Sequence, residues 1–570
     1  MLHEYLYIAG GGLLIAIVAA AFSRRTGVAA PLLLIGFGCA ASFLPGMPDI
    51  QIEPELILSG VLPPLLYASA VRLPVLDLRR NLGLITWLAM VIVVVGALGV
   101  GYVVHLLFGV PLPLAIALGA VVSPTDAVAA TAIGKRLGLP PRVMTVLEGE
   151  SLVNDASALV VLRTALVAAS AGTFSMGEAT ASFAWAVAGA VLVGLVVGWV
   201  NVLVRQRLAD PVLNTSISFA VPFLAFIPAE EVHASGVLAV VVAGVITGHQ
   251  SGKRFSARDR QVERTNWATI NFLLEQAVFL LMGYELPSLI EQARGESSDA
   301  RIATMVLVVF GLLGVLRFIG VAGPLLMDRR RRPHRAKRMR SRIAAVEERL
   351  EDLSPATTQE LDRLSIARHR IARHSADVDF AMREPLTGRA GLVLAWAGMR
   401  GVVTLAAVQT LPLDAENRAT LVVVAVLVAV ATLVVFGLTL PFLIHALALE
   451  SVSPEDERDE FFGLMKQLAA ATTEQLGPME QLEVDGTPLE PELVESLKQR
   501  FLPILLGHIQ SLRQTKPGLR ERSLLIQHLY LDTMRDMLMQ ERSIGAYSSA
   551  AYARAEALLD REEQRLNAGI

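Results

Sequence analysis

Cysteine is almost absent from the sequence: Cys39 is the only one among 570 residues. One cysteine cannot form a disulfide within the chain, and it cannot build a cysteine-rich zinc cluster or a redox pair. The sequence also lacks a glycine-rich phosphate-binding loop, so we do not expect ATP-driven pumping by this polypeptide. We expect no cofactor and no nucleic-acid partner.

Charged residues are scarce as well, at 18% of the chain, whereas 53% of the residues are hydrophobic and the mean hydropathy is +0.53. Apolar stretches of the length that spans a bilayer follow one another along the chain. The sequence therefore predicts an all-α polytopic membrane protein with about thirteen transmembrane helices, the first of them retained rather than cleaved. The predicted spans are 4–22, 27–45, 54–71, 83–107, 111–133, 145–170, 181–204, 211–229, 233–250, 267–290, 303–327, 389–410 and 417–447.

Lysine and arginine are distributed unequally between alternate loops, which predicts the orientation in the membrane. One set of loops holds nearly all of them up to Arg264, and the other set has almost none before Arg294. This asymmetry predicts that the N-terminus lies outside and the C-terminus in the cytoplasm. The membrane we expect is the plasma membrane of the cell. The basic residues of the first set include Arg24, Arg25, Arg72, Arg79, Arg80, Lys135, Arg136, Arg142, Arg205, Arg207 and the run from Lys253 to Arg264.

Two charged regions interrupt or follow the membrane pattern and define the expected domains. Residues 328–388 begin with DRRRRPHRAKRMRSR and predict a basic cytoplasmic insert that forms a helical hairpin and touches membrane lipid. Residues 449–570 predict a helical cytoplasmic C-terminal domain, because apolar residues recur there at helical spacing. The transporter domain would then comprise 1–327 and, as its last two helices, 389–448.

The stretch EGESLVNDASALV, residues 148–160, places carboxylates inside an apolar span. A charged side chain at the bilayer centre costs at least ~2.5 kcal/mol, so such residues are candidates for function. On a helix, Ser151 and Asp155 share one stripe, while Glu150 and Asn154 share the next. Asp155 can be neutralised by a proton or balanced by a cation, which makes it an exchangeable site.

A second candidate lies in GAVVSPTDAVAATAIG, residues 119–134. Pro124 lacks a backbone N–H, so the helix should break near residues 123–125. Broken backbone at membrane depth is tolerated where it lines a cavity, and it offers free carbonyl groups to an ion. Thr125 and Asp126 lie at this break.

A third feature is WAGMRGVVTLA, residues 396–406, in which Gly398 and Gly401 bracket Arg400. Two interrupted spans in the two halves of a chain predict an inverted-repeat transporter whose site lies where the breaks cross. Arg400 would then balance helix dipole ends. Arg317 is the other deep arginine and the natural partner for Glu150, since a permanent buried charge needs a counter-charge.

These motifs, together with LPPLLYASA (62–70) and SGVLAVVVAGVITG (235–248), resemble in order and spacing those of cation/proton antiporters of the NhaP and NHE type. The resemblance covers roughly residues 5 to 447. It implies that Asp155 alternates between a proton and Na⁺, and that Asp126, Ser151 and the carbonyl of Thr125 complete the site. It further implies a structural role for neutral Asn154, a buried salt bridge between Glu150 and Arg317, and a homodimer.

The chain departs from the resemblance at Ala68, where many relatives have a glutamate. That departure bears on ion selectivity more than on the antiport mechanism. The predicted function is exchange of Na⁺ or Li⁺ for H⁺, electroneutral at 1:1, by a secondary active transporter that is not an enzyme. The alternatives are a K⁺/H⁺ antiporter with the same site, an intramembrane protease or an ion channel.

Overall fold

The computed structural model divides the chain into two compact units. The larger comprises Met1–Ser251, Val262–Arg331 and Leu386–Ser451, and the smaller Gly252–Gln261, Arg332–Pro385 and Val452–Ile570. The residues described are 2–26, 30–45, 55–171, 176–208, 210–351, 357–383, 385–412, 415–449, 454–477, 481–484, 487–492, 494–495 and 519–568.

The described residues are predominantly helical, as predicted. Two segments are π-helical: Leu56–Val61, which precedes the helix Leu62–Arg72, and Trp87–Val91, which joins the helices Val75–Thr86 and Ile92–Phe108. The helices in chain order are α1 (Leu2–Thr26), α2 (Ala30–Ser42), α3 (Leu62–Arg72), α4 (Val75–Thr86), α5 (Ile92–Phe108), α6 (Leu112–Val122), α7 (Val128–Leu137), α8 (Pro141–Ala171), α9 (Met176–Arg205), α10 (Pro211–Glu231), α11 (Gly236–Arg254), α12 (Ala257–Glu296), α13 (Asp299–Glu351), α14 (Thr358–Arg383), α15 (Gly388–Trp396), α16 (Val402–Val408), α17 (Arg418–Leu447), α18 (Pro454–Leu476), α19 (Leu519–Ile544) and α20 (Ser549–Ala568).

Seven of the described helical stretches are long and apolar enough to cross a membrane, which confirms a polytopic membrane protein. Four shorter apolar helices accompany them. Each predicted span overlaps a described helix or a broken pair of helices, but thirteen crossings remain a prediction. The seven stretches are Val75–Phe108, Pro141–Ala169, Thr180–Arg205, Pro211–Glu231, Ala257–Glu296, Asp299–Arg330 and Arg418–Leu447.

Both predicted helix breaks are confirmed. Helix α6 ends at Val122 and α7 begins at Val128, on either side of Pro124, which cannot donate a backbone hydrogen bond. Helix α15 ends at Trp396 and α16 begins at Val402, and the interval between them contains Gly398 and Gly401, as predicted. Helix α17 packs against all four of these half-helices. Its sequence is apolar on every side because it is buried on most sides.

The glycine-spaced segment of α9 packs against α11 of the same chain. A Cβ atom added at Gly189 would lie 2.8 Å from the side chain of Ala234, and one added at Gly194 would lie 2.5 Å from the carbonyl of Ala239. These glycines therefore permit close approach within the chain.

The smaller unit contains the charged insert, the C-terminal region and the short segment that joins α11 to α12. In the insert, the C-terminal part of α13 and α14 form a hairpin in which Arg340 and Asp379 make an ion pair of 2.8 Å. The C-terminal region holds α18, α19 and α20. It also holds two antiparallel strands, β1 (Glu483–Val484) and β2 (Thr487–Pro488), which the expectation of a purely helical region did not include.

Arg260, in the first turn of α12, contacts α20. Its guanidinium donates to Asp560 and, over 2.7 Å, to the carbonyl of Phe255. The side chain is 7% exposed, so this cation is removed from water and neutralised within the smaller unit.

Arg205, which the sequence places with the basic loop residues, is fully buried in the larger unit. Its two terminal nitrogens donate to the two oxygens of Glu263 over 2.9 and 2.8 Å, and Nε donates to Asn214 over 2.7 Å. A bidentate pair of this kind fixes α9 against α12.

Arg205→Met should lower the thermal denaturation temperature of the protein, because Glu263 would remain buried without its cation at a cost of ~3 to 5 kcal/mol. Removing both charges in Arg205→Met/Glu263→Met should recover much of that loss. The measurement is the thermal stability of detergent-purified variants. A double variant less stable than Arg205→Met would contradict this account of the pair.

Candidate ion-binding site

The two helix breaks meet in the larger unit. The backbone N–H of Asp126 donates to the carbonyl of Met399 over 2.7 Å. Arg400 Nε donates over 2.9 Å to the carbonyl of Val122, the last residue of α6, and the same guanidinium donates to Gly398. The side chain of Arg400 is buried, so a positive charge lies directly on carbonyl groups that the breaks leave free.

Gly401 permits this close approach of the two breaks. A Cβ atom at this position would overlap the carboxylate of Asp126. The backbone angles of Gly401 are those of extended chain, which any residue can adopt. The requirement for glycine is therefore one of space and not of backbone conformation.

Asn154 connects α8 to the first break. Its side-chain amide donates to both the carbonyl and the hydroxyl of Thr125, each over 3.0 Å. The hydroxyl of Thr125 in turn donates to Glu150 over 3.0 Å. The Thr125 carbonyl has a second lone pair, so this bond leaves it able to contact a cation.

Ser151 and Asp126 hold the beginning of α7. Ser151 Oγ accepts from the N–H of Ala127 over 3.2 Å, and Asp126 Oδ1 accepts from the N–H of Val128 over 2.8 Å. These bonds satisfy backbone donors that the break would otherwise leave unpaired. Both residues of the predicted site therefore lie at the break, and each contributes an oxygen there.

Glu150 and Arg317 form a buried ion pair beside this group. The two terminal nitrogens of the guanidinium donate to the two carboxylate oxygens, the second pair over 3.0 Å. Arg317 also donates to the carbonyl of Leu394 over 3.0 Å, which links α13 to α15. Because the pair is neutral as a whole and tied to three helices, it is suited to a structural role.

Asp155 lies one helical turn beyond Ser151 on α8 and is only 7% exposed. Within the described part of the chain its carboxylate has neither a hydrogen-bond donor nor an ion-pair partner. It interacts electrostatically with the carboxylate of Asp126. A buried carboxylate without a fixed partner can be satisfied by a proton or by a cation, and the two must compete for it.

Sequence reasoning missed Glu275 on α12. This half-buried carboxylate accepts from Asn271 and interacts electrostatically with Asp126 and with Arg72. It lies within NFLLEQAVFLL, residues 271–281, in the middle of a predicted span. The signal was therefore the same as for Asp155, a carboxylate at membrane depth. Ala68, the departure from the family pattern, is buried in an apolar cluster with residues of α10, α11 and α12.

The fold and site together are those of a membrane transporter in which two broken helices meet beside buried carboxylates. Residues 13–446 match the family described as sodium/hydrogen exchanger, transmembrane. The chain belongs to this family, which confirms the resemblance read from the motifs. It is a multi-pass membrane protein and a cation/proton antiporter.

Relatives of known sequence extend over most of the chain. An uncharacterised Na⁺/H⁺ exchanger of Mycobacterium tuberculosis is 27% identical, covering 96% of this chain and 94% of the relative. The low-affinity Na⁺/H⁺ antiporter NhaS1 of Synechocystis is 26% identical, covering 91% and 88%. A sodium, potassium, lithium and rubidium/H⁺ antiporter of Bacillus pumilus is 32% identical over a shorter region, 51% of this chain and 45% of the relative.

A solved structure has the same fold. The sodium proton antiporter MjNhaP1 from Methanocaldococcus jannaschii aligns with a TM-score of 0.57, covering 79% of this chain and all of that one. The sequence identity is 16%, so the comparison establishes the architecture and not the roles of individual residues.

Gly401→Ala should reduce cation-driven proton movement by at least about tenfold, because the added methyl group displaces Asp126 from the break. Gly314→Ala is the matched control, since a Cβ atom there meets no atom within 4 Å of the described chain. Proton movement is measured with an internal pH dye in proteoliposomes. Equal activity of the two variants would contradict the packing argument.

Proposed function

We propose that the protein exchanges Na⁺ or Li⁺ for H⁺ at a ratio of 1:1, with the two ions competing for Asp155. The observation that carries the proposal is the burial of this carboxylate without a fixed partner, next to a helix break that supplies oxygen atoms. An empty, ionised site is too costly to move through a dry barrier. Only the loaded states cross, which produces exchange rather than leak.

The ligands proposed for the cation are Asp155, Asp126, Ser151 and the carbonyl of Thr125. Carboxylate, hydroxyl and carbonyl oxygens replace the hydration shell of a hard monovalent cation. Asn154 carries no charge and holds Thr125 in place. The transported cation and proton are the only small molecules in the cycle, and neither a cofactor nor an enzymatic reaction is part of it.

The proposed organising residues are Pro124, which creates the first break, Arg400, which balances free carbonyl groups, and the Glu150–Arg317 pair. In this scheme the helices that carry Asp126, Asp155 and Arg400 move as one body during alternating access. The support is the hydrogen bonding across them, since Asp126 is bonded to Met399 and Arg400 to Val122. Moving these helices separately would break those bonds at membrane depth.

We further propose a homodimer in the plasma membrane, with the N-terminus outside and the C-terminus in the cytoplasm. The dimer rests on the family resemblance, and the orientation rests on the distribution of lysine and arginine between loops. The domains would be a transporter domain of residues 1–327 and 389–448, a basic cytoplasmic insert of 328–388 and a cytoplasmic domain of 449–570. The larger unit supports the division of the transporter domain from the rest, whereas the insert and the C-terminal region fall together in the smaller unit.

K⁺/H⁺ exchange is the second candidate function. The oxygen ligands would be the same, and the relative from Bacillus pumilus is named for sodium, potassium, lithium and rubidium. Two residues of this chain bear on the choice: Ala68 stands where the resemblance predicts a glutamate, and Glu275 is a carboxylate that interacts electrostatically with Asp126.

Asp155→Asn should abolish proton movement driven by any of the three cations, because an amide can neither release a proton nor balance Na⁺. The assay follows an internal pH dye in proteoliposomes while Na⁺, Li⁺ or K⁺ is added. Asp299→Asn is the control, since it removes a carboxylate at the exposed beginning of α13. An active Asp155→Asn protein would refute the proposal, and the cation preferred by the unmodified protein decides between the two candidate functions.

Asn154→Asp should make transport sensitive to membrane voltage. A second ionisable carboxylate beside Asp155 allows an additional proton to be carried per cation, so net charge moves in each cycle. Currents after Na⁺ concentration jumps on a solid-supported membrane measure this directly. The unmodified protein and Gln292→Glu, which adds a carboxylate at an exposed position of α12, should both give no steady current. A current from the unmodified protein would rule out 1:1 exchange.

A further inference from the structure

The helical hairpin of the insert contains a groove with a volume of about 550 Å³. We call it the α13–α14 groove. Its size falls within the range of about 300 to 1,000 Å³ that is typical of small-molecule sites. It is lined by Met339, Arg342, Ile343, Val346, Arg363, Ile366, Ala367, Arg370, Ile371 and His374.

The groove has an apolar floor. Met339, Ile343 and Val346 follow one another at three- and four-residue spacing on α13, and Ile366 and Ile371 face them from α14. Ile366 is 54% exposed and Val346 is 43% exposed. These side chains therefore form one continuous apolar surface that the described residues leave open to solvent.

The rim of the groove is basic. Arg363, Arg370 and His374 follow one line along α14, and Arg342 lies on the facing helix. Arg363 and Arg370 are seven residues apart, which is two turns or roughly 10 Å along the helix. Cationic groups thus border the apolar floor along its length.

The three arginines of the rim have no ion-pair partner among the described residues. Arg340, one position outside the lining, shows the contrast because it pairs with Asp379 over 2.8 Å. Guanidinium groups are strong donors to carboxylates. The rim therefore presents unused donors for an anionic group.

Helix α14 of the hairpin also packs against α19, through residues that do not line the groove. His369 of α14 contacts Ser543 of α19, and it is not among the residues that line the groove. One face of α14 is consequently occupied by packing within the smaller unit, while the face with Arg363, Ile366 and Arg370 is available to a ligand.

We propose that the α13–α14 groove binds a long-chain fatty acid anion. The acyl chain would cover the apolar floor, and the carboxylate would contact Arg363 and Arg370. Burial of each CH₂ group on the floor is favourable, and the guanidinium groups of the rim supply the charge complementarity. One unbranched chain with one small anionic head suits an apolar floor bordered by arginines, whereas a purely polar anion would leave the floor exposed to water.

The test uses the full chain in zwitterionic phosphatidylcholine nanodiscs and a palmitate analogue that carries a photoreactive diazirine in its chain. After irradiation, mass spectrometry of proteolytic peptides locates the label. The label is expected in residues 339–346 and 363–374, with competition by palmitate but not by hexadecanol. The measurement does not involve transport, so its result is independent of the transported ion.

Arg363→Gln/Arg370→Gln should reduce labelling of the groove by about fivefold or more, since two charge contacts are lost. Arg338→Gln/Arg368→Gln removes the same charge from exposed positions outside the lining and should leave labelling unchanged. Circular dichroism and gel filtration establish that both variants are folded. Ile366→Glu places a like charge on the floor and should also reduce labelling.

Four results would overturn the proposal. The first is that the label is confined to the membrane-spanning helices, and the second is that hexadecanol competes as well as palmitate does. The third is that the label is lost in phosphatidylglycerol nanodiscs, which would mean that bilayer lipid occupies the groove. The fourth is that the two double-arginine variants are labelled equally. A cross-link from Ile366 to a second copy of the chain with no palmitate label would assign the groove to a protein partner instead.

Discussion

The structure depends on satisfying two lengths of broken backbone at membrane depth within the protein. Polar backbone groups cannot be left unpaired in hydrocarbon, so each break needs a partner close at hand. Here each break supplies hydrogen-bond partners for the other. The carbonyl of Met399 accepts from the N–H of Asp126, and Arg400 donates to the carbonyl of Val122, which ends α6. Gly401 is required because the two lengths of chain approach so closely. These contacts fix the position of Asp126 and of the beginning of α7.

The charges around the breaks divide into balanced and unbalanced groups. Glu150 is neutralised by Arg317, and Arg400 lies against carbonyl groups. Asn154 occupies a position next to Asp155 without adding a charge. What remains are the carboxylates of Asp155 and Asp126, for which no cationic partner lies among the described residues. The balanced groups define the geometry of the breaks, and the other two carboxylates are the ones to which we assign the exchange of ions.

Local sequence predicted those features that local physics determines. Pro124 removes a backbone donor and so favours the break between α6 and α7, although Pro222 and Pro228 lie inside the continuous helix α10. The glycines beside Arg400 weaken their helix through their conformational freedom. The bond from Asp126 to Met399 joins residues 273 positions apart and depends on packing that no local pattern encodes. Glu275 carried the same signal as Asp155 and was overlooked. Arg205 was interpreted as a loop charge, although Glu263 neutralises it in the interior.

The contact between Arg260 and Asp560 sets an order of events during synthesis. The two residues are 300 positions apart, and ribosomes add about 5 to 20 residues per second. Arg260 therefore leaves the ribosome roughly 15 to 60 seconds before its acidic partner exists. Throughout that interval the beginning of α12 carries an arginine whose acidic partner in α20 has not yet been made. A chain that ends before α20 is made lacks this ion pair, so the contact between the beginning of α12 and α20 forms only when synthesis of the chain is nearly complete.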